Sequence, residues 1–176
     1  DFAFIYGLSA GPDGHLFAAT HPRTGNVLHY DGERFTWFAT EAPERLNAIA
    51  AIAKDDVYAV GPQGVIVHFT GVAWSPMGYE QPVAAHWLRG IWGSGQDRIF
   101  VTGDGGDAMQ QFDGSVWTTR CPTLPASNKV WGDASSVWVT ALEGGTSVGQ
   151  IHRFDGSTCT ASYTGRYTSS MRLTST

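Results

Sequence analysis

The sequence predicts an all-β chain folded as a β-propeller. Three observations predict it: a period of about 42 residues that recurs four times, a glycine turn at one fixed place in every repeat, and short apolar runs of strand length around that turn. Composition agrees. With 176 residues, 42% of them hydrophobic, the chain has enough apolar surface for a core within one domain. The charged fraction is low at 15%, while 22 Gly, 7 Trp, 6 Tyr and 9 Phe suit many short aromatic strands joined by tight turns.

The first element of each repeat is an inner strand, read at Ile5-Tyr6-Gly7, Ile49-Ala50-Ala51, Ile91-Trp92-Gly93 and Val130-Trp131-Gly132. Small residues dominate its last position, because the innermost strands of a radial array crowd the axis. The second strand is read in His15–Thr20, Asp56–Gly61, Arg98–Gly103 and Ser136–Ala141, runs rich in β-branched and aromatic residues.

The third strand ends at the turn: His29-Tyr30-Asp31-Gly32, His68-Phe69-Thr70-Gly71, Gln111-Phe112-Asp113-Gly114 and Arg153-Phe154-Asp155-Gly156, with glycines 39, 43 and 42 residues apart. Asp-Gly between two strand-like runs is a strong hairpin signal, since glycine tolerates the positive φ the turn needs. The fourth, outer strand begins three residues later at Phe35, Trp74, Trp117 and Cys159, whose aromatic members are expected to pack between neighbouring sheets. Four antiparallel strands per ~40–45 residues make one propeller blade.

The expected blades are about 1–45, 46–87, 88–127 and 128–166, with the tail 167–176 placed where another blade would begin. The strand at Ile5 is already an inner strand, so the four repeats read as an incomplete ring. Such an arc is a fragment, or one subunit of a propeller completed by a second copy or an additional chain. A self-contained four-bladed disc stays open as the alternative. The chain opens on Asp1 without a leader-like stretch and reads as a processed mature chain or a piece of a longer one.

The motifs resemble a group of bacterial repeats common in secreted and surface proteins of myxobacteria. In that group Ile-Trp-Gly-Ser is followed by Asp-Val-Tyr-Ala-Val-Gly and then by His-Tyr-Asp-Gly-Ser-x-Trp. Here the matching residues are Ile91–Ser94, Asp56–Gly61 and Asp113–Trp117. The resemblance spans nearly the whole chain and implies the propeller fold and export, with no catalytic residue to carry over. Scarce Lys, abundant Ser and Thr and only 2 Cys fit the same bacterial extracellular or cell-surface location.

Several function classes are disfavoured. A net charge of −5 with scattered basic residues offers no field for nucleic acid. No stretch approaches the ~18–20 apolar residues of a membrane span. Metal motifs such as Cys-x-x-Cys and a Gly-x-Ser-x-Gly nucleophile elbow are absent, and no cofactor is expected.

Ligands of such a scaffold bind its loops. Tyr79, His86 and Trp87 lie on the longest, most aromatic connection, which suits a sugar ring or instead caps a blade junction. Asn47, Arg89 and Asn128 recur just before the inner strands of repeats two to four. They are read as donors ringing an axial ligand, or as side chains satisfying backbone groups. Asp104-Gly105-Gly106-Asp107 supplies too few carboxylates for Ca²⁺ and reads as a solvated turn. His29 and His68 share a repeat position with Gln111 and Arg153, as a tolerant polar site would.

Cys121 is placed four residues past Trp117 on the same outer strand, and it pairs with Cys159 only if a bulge overcomes strand parity. The leading function is an extracellular binding module for a carbohydrate or a protein. The alternatives are a glycoside hydrolase or lyase using carboxylates from different blades, with Glu80, Asp104, Asp107 and Glu143 as candidates, and a structural or assembly subunit.

Overall fold

The computed structural model describes residues 4–21, 26–77, 87–104, 109–143 and 148–166. They form four four-stranded antiparallel sheets, each a simple meander in chain order. Blade one holds β1 (Phe4–Ala10), β2 (Leu16–His21), β3 (Asn26–Tyr30) and β4 (Phe35–Ala39). Blade two holds β5 (Ala48–Ala53), β6 (Asp56–Val60), β7 (Ile66–Phe69) and β8 (Trp74–Pro76). Blade three holds β9 (Leu88–Gly93), β10 (Ile99–Gly103), β11 (Met109–Phe112) and β12 (Trp117–Thr119). Blade four holds β13 (Ala126–Gly132), β14 (Val137–Leu142), β15 (Val148–Phe154) and β16 (Cys159–Arg166). The inner strands pack in succession, β1 on β5, β5 on β9 and β9 on β13. The fold is a β-propeller.

The turn glycines behave as their sequence context requires, with φ of +100° at Gly32, +86° at Gly71, +93° at Gly114 and +100° at Gly156. Three of the four turns are closed by aspartate. Asp31, Asp113 and Asp155 each accept backbone N–H bonds from the residues two and three positions on, as does Asp133 in the β13–β14 hairpin. Those bonds favour the charged carboxylate and hold all four aspartates below the ordinary range, Asp155 furthest because Ser157 and Thr158 add hydroxyl donors.

Strand alternation gives every blade two apolar faces, and the core consists of three layers between blades. Phe17, Ala19 and Val27 of blade one meet Ile49, Val57, Val67, Phe69 and Trp74 of blade two. Tyr58, Val60 and Ile66 on the other face of blade two meet Leu88, Ile91, Ile99 and Val101. Phe100 and Met109 then meet Val130, Val137, Val139 and Phe154.

Three of the four inner strands carry an irregularity at their start, whereas in β5 it falls at the end, between Ala51 and Ala53. In β1 the register skips Tyr6, in β9 it skips Arg89 and in β13 it skips Asn128. Asn47 takes the same place ahead of β5, its N–H reaching the Val60 carbonyl at 2.6 Å. These bulges correct the expected alignment of blade one. Leu8 pairs with Ala18 as Ile91 pairs with Val101, so Leu8-Ser9-Ala10, not Ile5-Tyr6-Gly7, is the counterpart of Ile91-Trp92-Gly93.

The confusion has a physical source, because the inner strand has a second small position just past the bulge. A Cβ on Gly7 would lie 3.0 Å from the Ala48 Cα, and one on Gly90 would lie 3.1 Å from the Lys129 Cα. Gly7 belongs to that crowded contact between successive inner strands. In blade four the same position is Lys129, exposed, with no further blade among the described residues.

Cys121 also departs from expectation. It lies beyond β12, which ends at Thr119, so strand parity does not govern its direction. It is bonded to Cys159 at the head of β16, with the Cα atoms 5.8 Å apart, and so ties blade three to blade four. Cys159 fills the slot that Trp74 and Trp117 occupy in blades two and three. The tail 167–176 lies outside the described residues.

Candidate functional site

A bulge turns its extra residue out of the strand alternation, and here it aims one side chain per blade at the end of the array where the inner strands begin. Tyr6, Arg89 and Asn128 are those residues, and Asn47 takes the same place ahead of β5. Asn47 is committed to structure, since its Nδ2 donates to the Leu88 carbonyl at 2.8 Å and clasps blade two to blade three. Asn128 is half-buried at the crowded contact, its carbonyl 3.0 Å from where a Gly90 Cβ would sit. The three residues expected as a ring of donors, Asn47, Arg89 and Asn128, do not take equivalent roles. Asn47 serves the backbone, whereas Arg89 joins a different group together with Tyr6.

That group is a row of rings and cations crossing three blades. The Arg45 guanidinium carbon lies 5.6 Å from the Tyr6 ring centroid and 4.9 Å from that of Trp87. Arg89 approaches the same Trp87 ring at 5.7 Å. Arg89 in turn donates Nε and Nη2 to the two carboxylate oxygens of Asp104, the second at 2.8 Å, and this bidentate pair raises the guanidinium pKa further. The order is Tyr6, Arg45, Trp87, Arg89, Asp104.

The two cations differ in how they are compensated. Arg89 has its carboxylate, whereas the Nε of Arg45 is buried and meets no acceptor among the described residues. A guanidinium sandwiched by aromatic rings is pre-oriented and partly desolvated, which sharpens its affinity for an arriving carboxylate. Trp87 remains 43% exposed beside it.

Local sequence explains why the centre of the row, Arg45 and Trp87, sits on blades two and three. Arg45 and Trp87 occupy one repeat position, two residues before the bulge, and their carbonyls pass so close to Gly61 and Gly103 that a Cβ would collide with either. The corresponding residues of the outer blades are Thr20 and Ala141. Of the residues expected to form a site, Trp87 and Arg89 are brought together, and Tyr79 and His86 lie outside the described residues. Arg45 escapes a search for recurring polar residues because its counterpart is an aromatic. Aligning on the bulge would have revealed it.

A cleft of about 670 Å³ between blades two and three offers a second candidate, lined by Tyr58, His68, Met77, Asp97 and Phe112. His68 Nε2 lies 2.7 Å from Asp56 Oδ1, and its ring stacks on Tyr58 with centroids 4.0 Å apart. Burial, with Asp56 nearby, pushes the Tyr58 hydroxyl far above its ordinary pKa.

A His–Asp pair suggests acid–base chemistry, yet the other blades repeat its geometry with other residues. His29 stacks on Phe17 at 4.3 Å and bonds His15, while Arg153 lies 5.8 Å from the Trp138 ring and bonds the Ser136 hydroxyl. The recurrent unit is a planar polar side chain laid across an aromatic of the neighbouring strand. It explains the tolerance at His29, His68 and Arg153, and it leaves no reason to single out His68. Of the carboxylates considered for hydrolysis, Asp104 is engaged by Arg89, and Glu80 and Asp107 lie outside the described residues.

No protein-family model matches the chain, and no curated protein sequence matches it. Solved structures do. Catalytically inactive virginiamycin B lyase from Staphylococcus aureus with quinupristin is similar at TM-score 0.69 and 14% identity, over 89% of this chain and 54% of that one. The Swd1 β-propeller domain of Myceliophteria thermophila is similar at TM-score 0.63 and 13% identity, over 91% and 58%. YCF48 bound to D1 peptide is similar at TM-score 0.56 and 14% identity, over 88% and 49%. At such identities the likeness is one of fold. The chain spans about half the length of these structures.

Proposed function

We propose that this chain is a binding module that receives an acidic peptide segment of a protein partner on the end carrying Tyr6, Arg45, Trp87 and Arg89. One observation carries the reading: the Arg45 guanidinium lies over two aromatic rings, and its buried Nε meets no acceptor among the described residues. A carboxylate from an Asp or Glu side chain, or from a chain terminus, would complete it, and Trp and Arg anchors are the usual centres of protein interfaces. A propeller of the same fold bound to a peptide supports the reading. The Cys121–Cys159 bond supports an exported, oxidising location.

A carbohydrate is the weaker ligand for this end, because the Trp87 ring already has two guanidinium groups within 6 Å of its centroid. Fluorescence polarisation against acidic, neutral and basic peptide pools, beside a glycan array, tests the proposal. Selective retention of acidic peptides, weakened tenfold or more by Arg45→Ala, is expected. Binding that is indifferent to Arg45→Ala, or confined to glycans, would overturn it.

A further inference from the structure

The two end blades expose the two halves of one and the same junction. Each junction in the molecule brings the forward face of one blade against the rear face of the next. Phe17 meets Phe69 at the first, and Phe100 meets Phe154 at the third, with ring centroids 6.5 and 6.0 Å apart. Beside the latter pair, Trp92 lies 2.8 Å from where a Cβ on Gly132 would be, filling the space that glycine leaves.

Blade one has a rear face with the same residue classes and nothing against it among the described residues. Leu8 and Phe35 stand where blade two has Ile49 and Trp74; they are 65% and 64% exposed, against 5% and 6%. Ile5, likewise exposed, stands where Leu46 is fully buried, and Tyr30 stands where Phe69 and Phe154 sit. Blade four has the matching forward face. Trp131 and Trp138 occupy the places of Trp92 and Phe100, and Trp131 is 61% exposed, with Ile151 and Tyr163 open beside it.

We infer that a second copy of this chain docks its blade four against blade one of the first, head to tail, in the geometry of the existing junctions. Trp131 of one copy then lies over Ala10 of the other, as Trp92 lies over Gly132, and Trp138 meets Tyr30 as Phe100 meets Phe154. Both halves are present on every copy, so the contact is heterologous, and two copies close it if the rotation per blade allows. Two four-bladed arcs give eight blades, within the range of about four to eight that propellers adopt. The length relation agrees, since one copy covers 49–58% of the propellers it resembles. Contiguous apolar faces of this kind are seldom left to water.

Light scattering coupled to size-exclusion chromatography, across a hundredfold range of concentration, tests the inference on the full chain. A dimer is expected. Leu8→Glu and Trp131→Lys sit on exposed side chains, and each is expected to give a monomer with an unchanged far-ultraviolet circular dichroism spectrum. Mixing the two variants should restore a dimer, because blade four of the first and blade one of the second remain intact. A monomer at every concentration overturns the inference. So does a dimer insensitive to both substitutions, or a mixture that stays monomeric.

Discussion

Blades two and three differ from blades one and four less in sequence pattern than in what covers them. All four have the same strand order, turn glycines and alternation, yet Ile49 and Trp74 are buried while Leu8 and Phe35, their counterparts in blade one, are exposed. A blade is therefore encoded for two neighbours, and burial is conferred by the array rather than by the repeat. The centre of the row of rings and cations follows the same division. Arg45 and Trp87 are supplied by the blades flanked on both sides, where Gly61 and Gly103 let their carbonyls cross the end of the second strand.

The largest test of that division is to truncate matched side chains on covered and open faces. Phe100→Ala removes a ring that is 1% exposed and packed between Trp92 and Phe154, and should cost about 3–5 kcal/mol. Under conditions where the chain is monomeric, Leu8→Ala on the open face should cost about 0.5 kcal/mol or less. Urea denaturation measures both. Equal costs would mean that the open face is as well packed as the interior.

The third junction is also the one held covalently. Cys159→Ser with Cys121→Ser should lower stability by about 2–4 kcal/mol, and dithiothreitol should reproduce that loss in the wild-type chain alone. Hydrogen exchange would place the new opening in blade four, since the first two junctions rely on packing and hydrogen bonds such as Asn47 to the Leu88 carbonyl. A loss spread evenly over all four blades would show that the bond acts on the whole array.

The fold was legible because its signals are local: an Asp-Gly turn and an alternating run need only their own residues. The strand count and blade order followed from that. The inner-strand register of blade one was not legible, because Gly7 satisfies a close approach to Ala48 that involves a strand some 40 residues away. The candidate site was half legible. Trp87 and Arg89 stood out by residue type and loop position, whereas Tyr6 and Arg45 acquire meaning only through their approach to each other and to the Trp87 ring across three blades. His68, read from its repeat position as a tolerant polar residue, is a chemically suggestive partner of Asp56 whose counterparts His29 and Arg153 share its stacking on a neighbouring aromatic.

The small position past the bulge gives a finer test. Gly90→Ala places a Cβ 2.6 Å from Thr102 Oγ1 and 3.0 Å from the Asn128 carbonyl, and should cost about 1–3 kcal/mol. Lys129→Ala, at the same position of blade four, meets no following blade among the described residues and should change stability by about 0.5 kcal/mol or less in the monomer. In the dimer inferred above, Lys129 lies against the second copy, so a cost that appears only on dimerisation would sharpen the difference between covered and open blades.

The smallest effect separates the cross-strand stacks of blades one and two by pH. Desolvation, and the charge of His15 at 2.8 Å, lower the pKa of His29, while burial lowers that of His152. A histidine with a depressed folded pKa binds fewer protons folded than unfolded, so its contribution is intact above the unfolded value near 6.5 and is lost as pH falls below it. The midpoint of urea unfolding should therefore decline between pH 7.5 and 5.5, a window well above the one in which the lowered turn aspartates take up protons. His29→Gln keeps a planar polar group over Phe17 and should remove part of that decline, with His152→Gln removing a further part. His68→Gln probes the stack in which Asp56, not a second histidine, faces the ring. It should leave the decline attributable to His29 and His152 in place, and abolition of the decline by His68→Gln alone would assign the pH response to blade two instead.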